Sequence, residues 1–222
     1  MRVEAFEIGL IGTNCYLVWD EESGDAMIFD PDMPGGEVVE KRLTDEGLKL
    51  KYIALTHGHE DHMGGVPGLL AVFPGAVVVI GEGDAELVRD TPENDSGRMF
   101  GRRTVLEPGL LLRGGDALSL GGLEFKVLDT PGHSAGGVAY YVNQYDEELT
   151  GAEYVFSGTV FSGDTLFRLS IGRTDLRGGD YGELERSIRE KLYRLPDDTL
   201  VLPGHMGPTT VFNEREHNPF VR

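Results

Sequence analysis

The sequence predicts an α/β (α+β) protein in which two mixed β-sheets pack face to face with helices on their outer sides. Strand-like runs followed by helical runs occur twice along the chain, and this order favours layered sheets and helices. The composition, 40% hydrophobic and 26% charged residues, is ordinary for a globular protein. No shift in composition marks a boundary, so we expect a single domain over residues 1–222.

The first half of the chain alternates between short apolar runs and amphipathic runs. Strands are expected where the apolar runs occur, at Val3–Ile8, Cys15–Trp19, Ala26–Asp30, Tyr52–Leu55 and Ala76–Ile80. Helices are expected where apolar residues recur at helical spacing, at Gly36–Glu46, Val66–Phe73 and Asp84–Arg89. The polar segment Asp90–Thr104 contains Pro, Gly, Asn and Ser, which predicts a loop.

The second half repeats the pattern with more strands. They are expected at Ala117–Leu120, Leu123–Asp129, Val138–Val142, Tyr154–Ser162 and Thr199–Leu202. A helix begins after Asp180, because Asp180 and Glu183 form a capping-box pattern. Four apolar residues then share one face of that run: Leu184, Ile188, Leu192 and Leu195. Asn143–Thr159 is longer and more polar than a tight hairpin needs, and no role is predicted for it.

The charge balance excludes several classes of partner. The chain has 20 Lys and Arg against 38 Asp and Glu, a formal net charge of −18. Nucleic acids and anionic membranes bind clustered cations, so we expect neither as a partner. The single cysteine, Cys15, permits no internal disulfide, and the first residues lack a signal-peptide pattern. A cytoplasmic location is therefore expected.

The strongest chemical signal is the run Thr-His-Gly-His-Glu-Asp-His at positions 56–62, just past a predicted strand. Imidazole and carboxylate are ligands that zinc and similar ions prefer. In an extended loop, His57 and His59 alternate by two and point the same way. The neighbours Asp61 and His62 would point apart, which leaves them available to a second ion.

Three more ligand-type side chains follow predicted strands elsewhere in the chain. His133 and His205 each come directly after a Pro-Gly pair, and Asp164 occupies a similar position after a strand. Five of the six histidines therefore stand at strand-end turns. Packing alone explains such a concentration poorly, so the sequence predicts a metal centre.

The H-x-H-x-D-H run, with a later His, Asp and His each after a strand, resembles the metallo-β-lactamase superfamily. The segments at 130–134, 161–167 and 170–176 and the Asn-Pro-Phe at 218–220 look like its glyoxalase II-like branch, in the short single-domain form. The resemblance covers nearly the whole chain. It implies an αββα sandwich with the site at one edge of the two sheets.

The resemblance also implies a ligand for each position of two metal sites. The first metal would be held by His57, His59 and His133, the second by Asp61, His62 and His205, and Asp164 would bridge both. Two divalent ions, zinc first and iron or manganese as alternatives, are thus expected as cofactors. They would hold a bridging hydroxide, oriented by the catalytic Asp61, that attacks a small thioester such as a hydroxyacyl-glutathione.

Two other functions stay open from the sequence. A mononuclear iron persulfide dioxygenase would use His57, His59 and His133 or Asp164 with O₂. A metal-binding module without turnover is a third reading. Class B1 β-lactamases have cysteine where Asp164 stands, so antibiotic hydrolysis is not expected. Full-length glyoxalase II has a C-terminal domain that contacts glutathione; only 17 residues follow His205 (222 − 205), so weak glutathione recognition is expected.

Several further residues have competing interpretations. Arg173 is predicted to act in catalysis by receiving a substrate carboxylate, as its Gly-Arg-Thr-Asp segment resembles one near the metal in persulfide dioxygenases; the alternative is an ion pair with Asp175. Arg98, Arg102 and Arg103 form either an anion-attracting lid or, as we favour, a solvated loop. The remaining candidates either orient a ligand or serve turns and caps: Asp30, Thr56, Asp129 and Ser134. Glu60 is assigned no role, and His217 a surface or capping role.

Overall fold

The computed structural model describes residues 1–89, 97, 100–151 and 154–221. Within them the first sheet has the strand order β1 to β6, formed by Arg2–Ile8, Thr13–Trp19, Asp25–Phe29, Lys49–Ala54, Val77–Gly81 and Leu110–Leu112. Its first three strands are antiparallel and the rest run parallel. This sheet is therefore mixed, as predicted.

The second sheet is also mixed and has the order β14-β13-β10-β9-β8-β7. Its strands are β7 Ala117–Leu120, β8 Leu123–Asp129, β9 Val138–Val142, β10 Thr159–Gly163, β13 Leu200–Pro203 and β14 Thr209–Thr210. Only the β10–β13 pair is parallel. A separate hairpin is formed by β11 Leu166–Phe167 and β12 Ser170–Ile171.

Seven α-helices lie among the described residues. They are α1 Gly36–Asp45, α2 Glu60–Met63, α3 Val66–Val72, α4 Ala85–Val88, α5 Glu147–Thr150, α6 Tyr181–Glu190 and α7 Val211–His217. Short 3₁₀ turns at Glu82–Asp84 and Leu192–Arg194 flank α4 and α6. The Asp180 carboxylate accepts a hydrogen bond from the Glu183 N–H at 2.7 Å, which confirms the predicted cap of α6.

Three buried apolar clusters explain the layering. Phe29 of the first sheet meets Phe125 and Phe161 of the second, so the two sheets share a core. On the outer side of the first sheet, residues of α1 and α3 pack over β2 to β5. On the outer side of the second sheet, residues of α6 and α7 pack over β9, β10 and β13. The molecule is thus the αββα sandwich that the resemblance implied.

Some predicted elements are wrong in position. The strand expected at Tyr154–Ser162 begins only at Thr159, and Tyr154, Val155 and Ser157 before it are exposed. The histidine run contains a helical turn, α2, where a loop was expected. The expected helix Asp84–Arg89 is divided into a 3₁₀ turn and the four-residue α4. Much of Asp90–Thr104, including Arg98, lies outside the described residues.

The direction of the strands brings their ends together. Parallel pairing makes β3 and β4 end at one edge of the first sheet, and β10 and β13 at one edge of the second. Two hydrogen bonds join the sheets at this edge, from Val138 N to Thr56 O at 2.8 Å and from Tyr140 Oη to Leu55 O at 2.9 Å. None of the described helices combines the length and the apolar character that crossing a bilayer requires.

Candidate metal centre

The joined edge gathers all seven side chains that the sequence singled out as ligands. Three ring nitrogens, from His57, His59 and His133, lie within 4.8 Å of one another, and so do ligand atoms of Asp61, His62 and His205. Asp164 forms a further group with His57 and His62. All seven side chains are largely withdrawn from solvent, and His205 is the most open at 17% exposure.

The first group has the spacing of ligands around one ion. His133 Nε2 lies 2.9 Å from His59 Nδ1 and 3.2 Å from His57 Nε2. Two nitrogens on a tetrahedral ion with metal–nitrogen bonds of about 2.0–2.1 Å lie about 3.4 Å apart, close to these separations. The three rings are near-perpendicular to one another, so their nitrogens converge on one point rather than stack.

The second group is built on a helical turn. His62 Nε2 lies 3.4 Å from Asp61 Oδ2, and His205 Nε2 lies 3.3 Å from the same oxygen. The expectation that Asp61 and His62 point apart is wrong, because both belong to α2 and not to an extended loop. The helical turn brings the two neighbours to one point, where His205 from the second sheet joins them.

Asp164 stands between the two groups. Its Oδ2 is 3.5 Å from His133 Nε2 and 3.6 Å from His205 Nε2, while its Oδ1 is 3.3 Å from His62 Nε2. Asp164 Oδ1 and His62 Nε2 are buried and make no hydrogen bond with the part of the chain that the structure describes. Buried polar atoms of this kind are costly without a partner, and coordination to a cation would satisfy them. The residues present therefore fit divalent ions.

Neighbouring groups fix the orientation of the rings. Thr56 Oγ1 donates to Asp30 Oδ2 at 2.7 Å and so accepts from His57 Nδ1 at 3.0 Å, which leaves His57 Nε2 free. His62 Nδ1 lies 3.0 Å from the same Asp30 oxygen. His133 Nδ1 donates to the carbonyl of Arg173 at 2.8 Å. Such partners set which nitrogen of each ring faces a metal.

The electrostatics divide the histidines into two kinds. Burial, with the neighbouring imidazoles, lowers the pKa of His57 well below its usual range and that of His59 to about 3. Burial alone would lower the pKa of His62 and His205 too, but the carboxylates of Asp61 and Asp164 outweigh it and raise both. His57 and His59 are thus neutral imidazoles, whereas His62 and His205 of the second group bind protons when no metal is present.

The pKa values of the two carboxyl groups, Asp61 and Asp164, are lowered. Burial would raise the pKa of Asp61, but His62 and His205 reverse this and hold it well below the usual range. The same balance, dominated after burial by His62, lowers the pKa of Asp164 to about 2. Both carboxylates are therefore ionised at neutral pH and available as ligands or acceptors.

Two positioning residues were missed from the sequence. Asp84 is buried, and its carboxylate accepts from Gly58 N, Ser134 Oγ and Gly136 N. It ends the 3₁₀ turn Glu82–Asp84 that follows β5, so a search for Asp residues shortly after a strand, a pattern close to that of Asp30, would have found it. The second missed residue is Asn14, which holds the loop that carries His205.

Asn14 lies in the first sheet and holds a loop of the second. Its Nδ2 donates to Pro203 O at 2.9 Å and to Met206 O at 2.7 Å, and its N–H donates to Gly204 O at 2.7 Å. A Cβ on Gly204 would lie 2.3 Å from Asp164 Oδ1, so only glycine lets this loop approach the ligands. No sequence pattern signals the role of Asn14.

Of the other residues with competing interpretations, some serve turns or caps and others support the ligand loops. Asp129 accepts from Gly114 N at 2.6 Å, a turn role, and exposed His217 lies 3.1 Å from Asn213 O, as expected for a cap. The Ser134 hydroxyl donates to Asp84, so Ser134 acts on its neighbour His133 indirectly, through Asp84. Glu60, assigned no role, is buried and accepts from Thr104.

Of the three described arginines with predicted site roles, Arg173 and Arg102 are engaged by carboxylates and Arg103 is exposed. Arg173 donates from Nε and Nη2 to both oxygens of Asp175, at 2.7 and 2.8 Å, which is the alternative weighed for it. Arg102 is 20% exposed and pairs with Asp32 and Glu60, so the solvated loop expected for it is wrong. Buried carboxylates draw this side chain inward.

A cleft of about 350 Å³ opens over the ligands. His59, Asp61, His133, Asp164 and His205 lie at its base, and its walls are mainly apolar: Ile11, Phe100, Phe167, Ile171, Leu176 and Met206. Arg173 and Ser170 add polar groups. The ligand atoms are thus reachable by a small molecule with an apolar part.

Comparisons with known proteins agree with this geometry. Two relatives cover the whole chain and 98% of their own length: "Probable metallo-hydrolase YqgX" of Bacillus subtilis, 35% identical, and "Hydroxyacylglutathione hydrolase GloC" of Haemophilus influenzae, 34% identical.

Solved structures are similar over 99% of this chain. The B3 metallo-beta-lactamase BLEG-1 has 37% identity, a TM-score of 0.85 and 99% of its own chain covered. TTHA1623 in a di-iron-bound form has 34% identity, a TM-score of 0.77 and 100% covered. ETHE1 from Myxococcus xanthus has 28% identity, a TM-score of 0.74 and 84% covered.

The family model for the metallo-beta-lactamase superfamily matches residues 8–147, which include the histidine run and His133. With its αββα fold and its clustered ligand side chains, the chain belongs to the metallo-beta-lactamase superfamily.

Proposed function

We propose that the protein is a thioester hydrolase of the glyoxalase II-like kind that works with two divalent metal ions. His57, His59 and His133 would hold the first ion. The second ion would be held by Asp61, His62 and His205, with Asp164 shared between the two. Zinc, iron and manganese all suit this set of imidazoles and carboxylates, and residues 1–222 would act as one domain.

The observation that carries the proposal is the position of Asp164. Its Oδ2 lies 3.5 Å from a nitrogen of the first group and 3.6 Å from a nitrogen of the second. One carboxylate within reach of two complete ligand sets supports two ions rather than one. The second set would have no evident purpose in a mononuclear site.

Bound ions would supply two effects: they lower the pKa of water towards neutrality, and they polarise a substrate carbonyl. The chain's own residues would do the rest. Asp61, ionised at neutral pH and facing the cleft, would accept a hydrogen bond from the attacking water and orient it. Thr56, Asp30 and the Arg173 carbonyl would keep the imidazole rings in the orientation that ligation needs.

The cleft supports a thioester as the substrate class. A thiolate leaves without a strong general acid, so the site needs no proton donor beside the leaving group. The apolar walls formed by Phe167, Ile171 and Leu176 suit the organic part of an acyl thioester. The relative from Haemophilus influenzae is named a hydroxyacylglutathione hydrolase, and we extend that substrate class to this chain.

Two other activities are natural comparisons. The mononuclear iron dioxygenase left open by the sequence stays the second candidate, and the likeness to BLEG-1 makes a β-lactam a substrate to include. The complete second ligand set, Asp61, His62 and His205, favours the dinuclear hydrolase over the dioxygenase. A metal-binding module without turnover would not need an ionised Asp61 that faces an open cleft.

The test is a substrate panel with metal-loaded protein. We expect hydrolysis of a hydroxyacyl-glutathione, followed by the released thiol, and neither O₂ consumption on a persulfide nor opening of a β-lactam ring at a comparable rate. Exposed Asp197→Asn should retain wild-type rates, since Asp197 pairs with Arg215 at the surface. Oxygen consumption without thioester hydrolysis would assign the dioxygenase instead, and no turnover of any substrate would leave the binding module.

A further inference from the structure

Arg102 joins two buried carboxylates beside the candidate metal centre. Its guanidinium donates to Asp32 Oδ1, and its Nε donates to Glu60 Oε1 at 3.2 Å. Arg102 Nη1 donates a third hydrogen bond, to the carbonyl of Met33. The Asp32 and Glu60 side chains are 0% and 1% exposed. Buried carboxylates are costly without a cationic partner, so this network holds Arg102 in one place.

The surrounding backbone is shaped for this network. A Cβ on Gly64 would lie 2.6 Å from Arg102 Nη2 and 2.8 Å from Asp32 Oδ1. A Cβ on Gly9 would lie 1.9 Å from Asp32 Oδ2. Side-chain atoms do not approach so closely, so glycine at both positions makes room for the pair. The guanidinium therefore rests directly against the chain that follows the histidine run.

Besides Arg102, Glu60 also binds Thr104, two residues further along the chain. The Thr104 N–H donates to Glu60 Oε2 at 2.8 Å, and Thr104 Oγ1 donates to Oε1 at 2.6 Å. Glu60 belongs to α2, the helical turn that also carries Asp61 and His62. Arg102 and Thr104 are thus tied to the turn that presents two candidate ligands.

Phe100 extends this network into the cleft. Phe100 lines the cleft together with Ile11 and the ligand side chains. The Arg102 Cζ lies 5.5 Å from the centre of the Phe100 ring, within the range of a cation–π contact. The guanidinium therefore holds the ring directly as well as through the two intervening peptide bonds.

We propose that Arg102 is a positioning residue, held by Asp32 and Glu60, which fixes Phe100 as an apolar wall that selects the organic substituent of a thiol or thioester bound beside the metals. This inference rests on the proposed metal centre and deepens it, because it names the part of the ligand that the cleft distinguishes. A substituent with an aromatic ring would make a larger apolar contact with Phe100 than a short alkyl group.

The experiment measures thiol binding by isothermal titration calorimetry, so its result does not depend on thioester hydrolysis. Metal-loaded wild-type protein should bind phenylmethanethiol at least about tenfold more tightly than ethanethiol, the gain expected from one buried ring contact. Arg102→Gln and Phe100→Ala should each reduce that preference to less than about threefold with unchanged metal content. Arg113→Gln, which removes a surface fork to Glu82, should keep the wild-type preference.

A second readout reports positioning itself. Amide hydrogen exchange at Thr104, whose N–H donates to Glu60, should become at least about tenfold faster in Arg102→Gln and stay unchanged in Phe100→Ala. If Arg102→Gln does not fold, Asp32→Asn combined with Arg102→Gln removes both charges of the pair and takes its place.

Three outcomes would overturn the inference. The first is a wild-type protein that binds both thiols equally or binds neither. The second is an Arg102 variant that keeps the wild-type preference while Phe100→Ala loses it. The third is unchanged exchange at Thr104 without Arg102. Failure of thioester hydrolysis, in contrast, would count against the proposed function alone.

Discussion

The carboxylate of Asp84 accepts a hydrogen bond from the Ser134 hydroxyl at 2.7 Å, one residue beyond His133. The same carboxylate accepts from the N–H groups of Gly58 and Gly136, at 2.9 and 2.6 Å. A single buried side chain therefore joins the loop of His57 and His59 to the loop of His133. The first group of ligands depends on this link between the two sheets.

Replacing Asp84 tests the link. Asp84→Ala would leave three donors without their acceptor, and we expect the free energy of unfolding to fall by roughly 3 kcal/mol or more. Ser134→Ala removes one of the three bonds and should cost about 1–2 kcal/mol. Urea unfolding of the metal-free proteins measures both values. If Asp84→Ala is no more destabilising than Ser134→Ala, the carboxylate does not hold the two loops together.

Asp61→Asn separates charge from shape at the second group. The amide keeps the size of the side chain but loses the charge that would hold a cation and orient water. We expect kcat to fall at least about 10²-fold while the fold and the first metal are retained. Steady-state kinetics with metal analysis measures this, and Asp197→Asn serves as the control. Wild-type turnover in Asp61→Asn would exclude Asp61 from the mechanism.

The two groups should lose metal at different pH values. Metals bind neutral imidazole, so a raised pKa makes protons compete, and the affinity at His62 and His205 should fall as pH decreases from 7. The lowered pKa of His57 and that of His59, about 3, leave these two ligands of the first group without such competition until far lower pH. Dialysis at pH 7.5, 6 and 5 followed by metal analysis should show one metal released first. Release of both together would contradict the division.

The peptide part of a glutathione thioester should contribute little to turnover. Arg173 is the one arginine lining the described cleft, no described lysine lines it, and Arg173 is paired with Asp175. Few groups are therefore offered to the carboxylates of glutathione. For one acyl group on two thiols, shortening the thiol should lower kcat/KM by about tenfold at most, or roughly 1.4 kcal/mol. A loss beyond about a hundredfold would reveal a dedicated glutathione site.

The fold and the gathering of the ligands could be predicted from sequence because both depend on local patterns. Apolar runs place the carboxyl ends of β3, β4, β10 and β13 within one residue, and a ligand-type side chain after a strand lies at the sheet edge where strands end. Ligand-type side chains that directly follow a strand can therefore be recognised from the sequence. This is why His57, Asp164 and His205 were found together.

The errors share one physical cause, which is that distant contacts decided the outcome. The turn α2 forms where Glu60 is buried against Thr104, 44 residues away, and no local pattern shows this. Asn14 acts 189 residues from Pro203, across two sheets. The short strand Leu110–Leu112 was missed, because a three-residue run is recognisable only once β5 lies beside it.

The metal content of the purified protein tests the central claim most directly. After saturation with zinc, iron or manganese and desalting, elemental analysis should give two metal ions per chain, because Asp164 stands within reach of two complete ligand groups. Asp164→Ala, which removes the shared carboxylate, should retain at most one. A wild-type stoichiometry that stays near one under saturating conditions would contradict the two-metal centre.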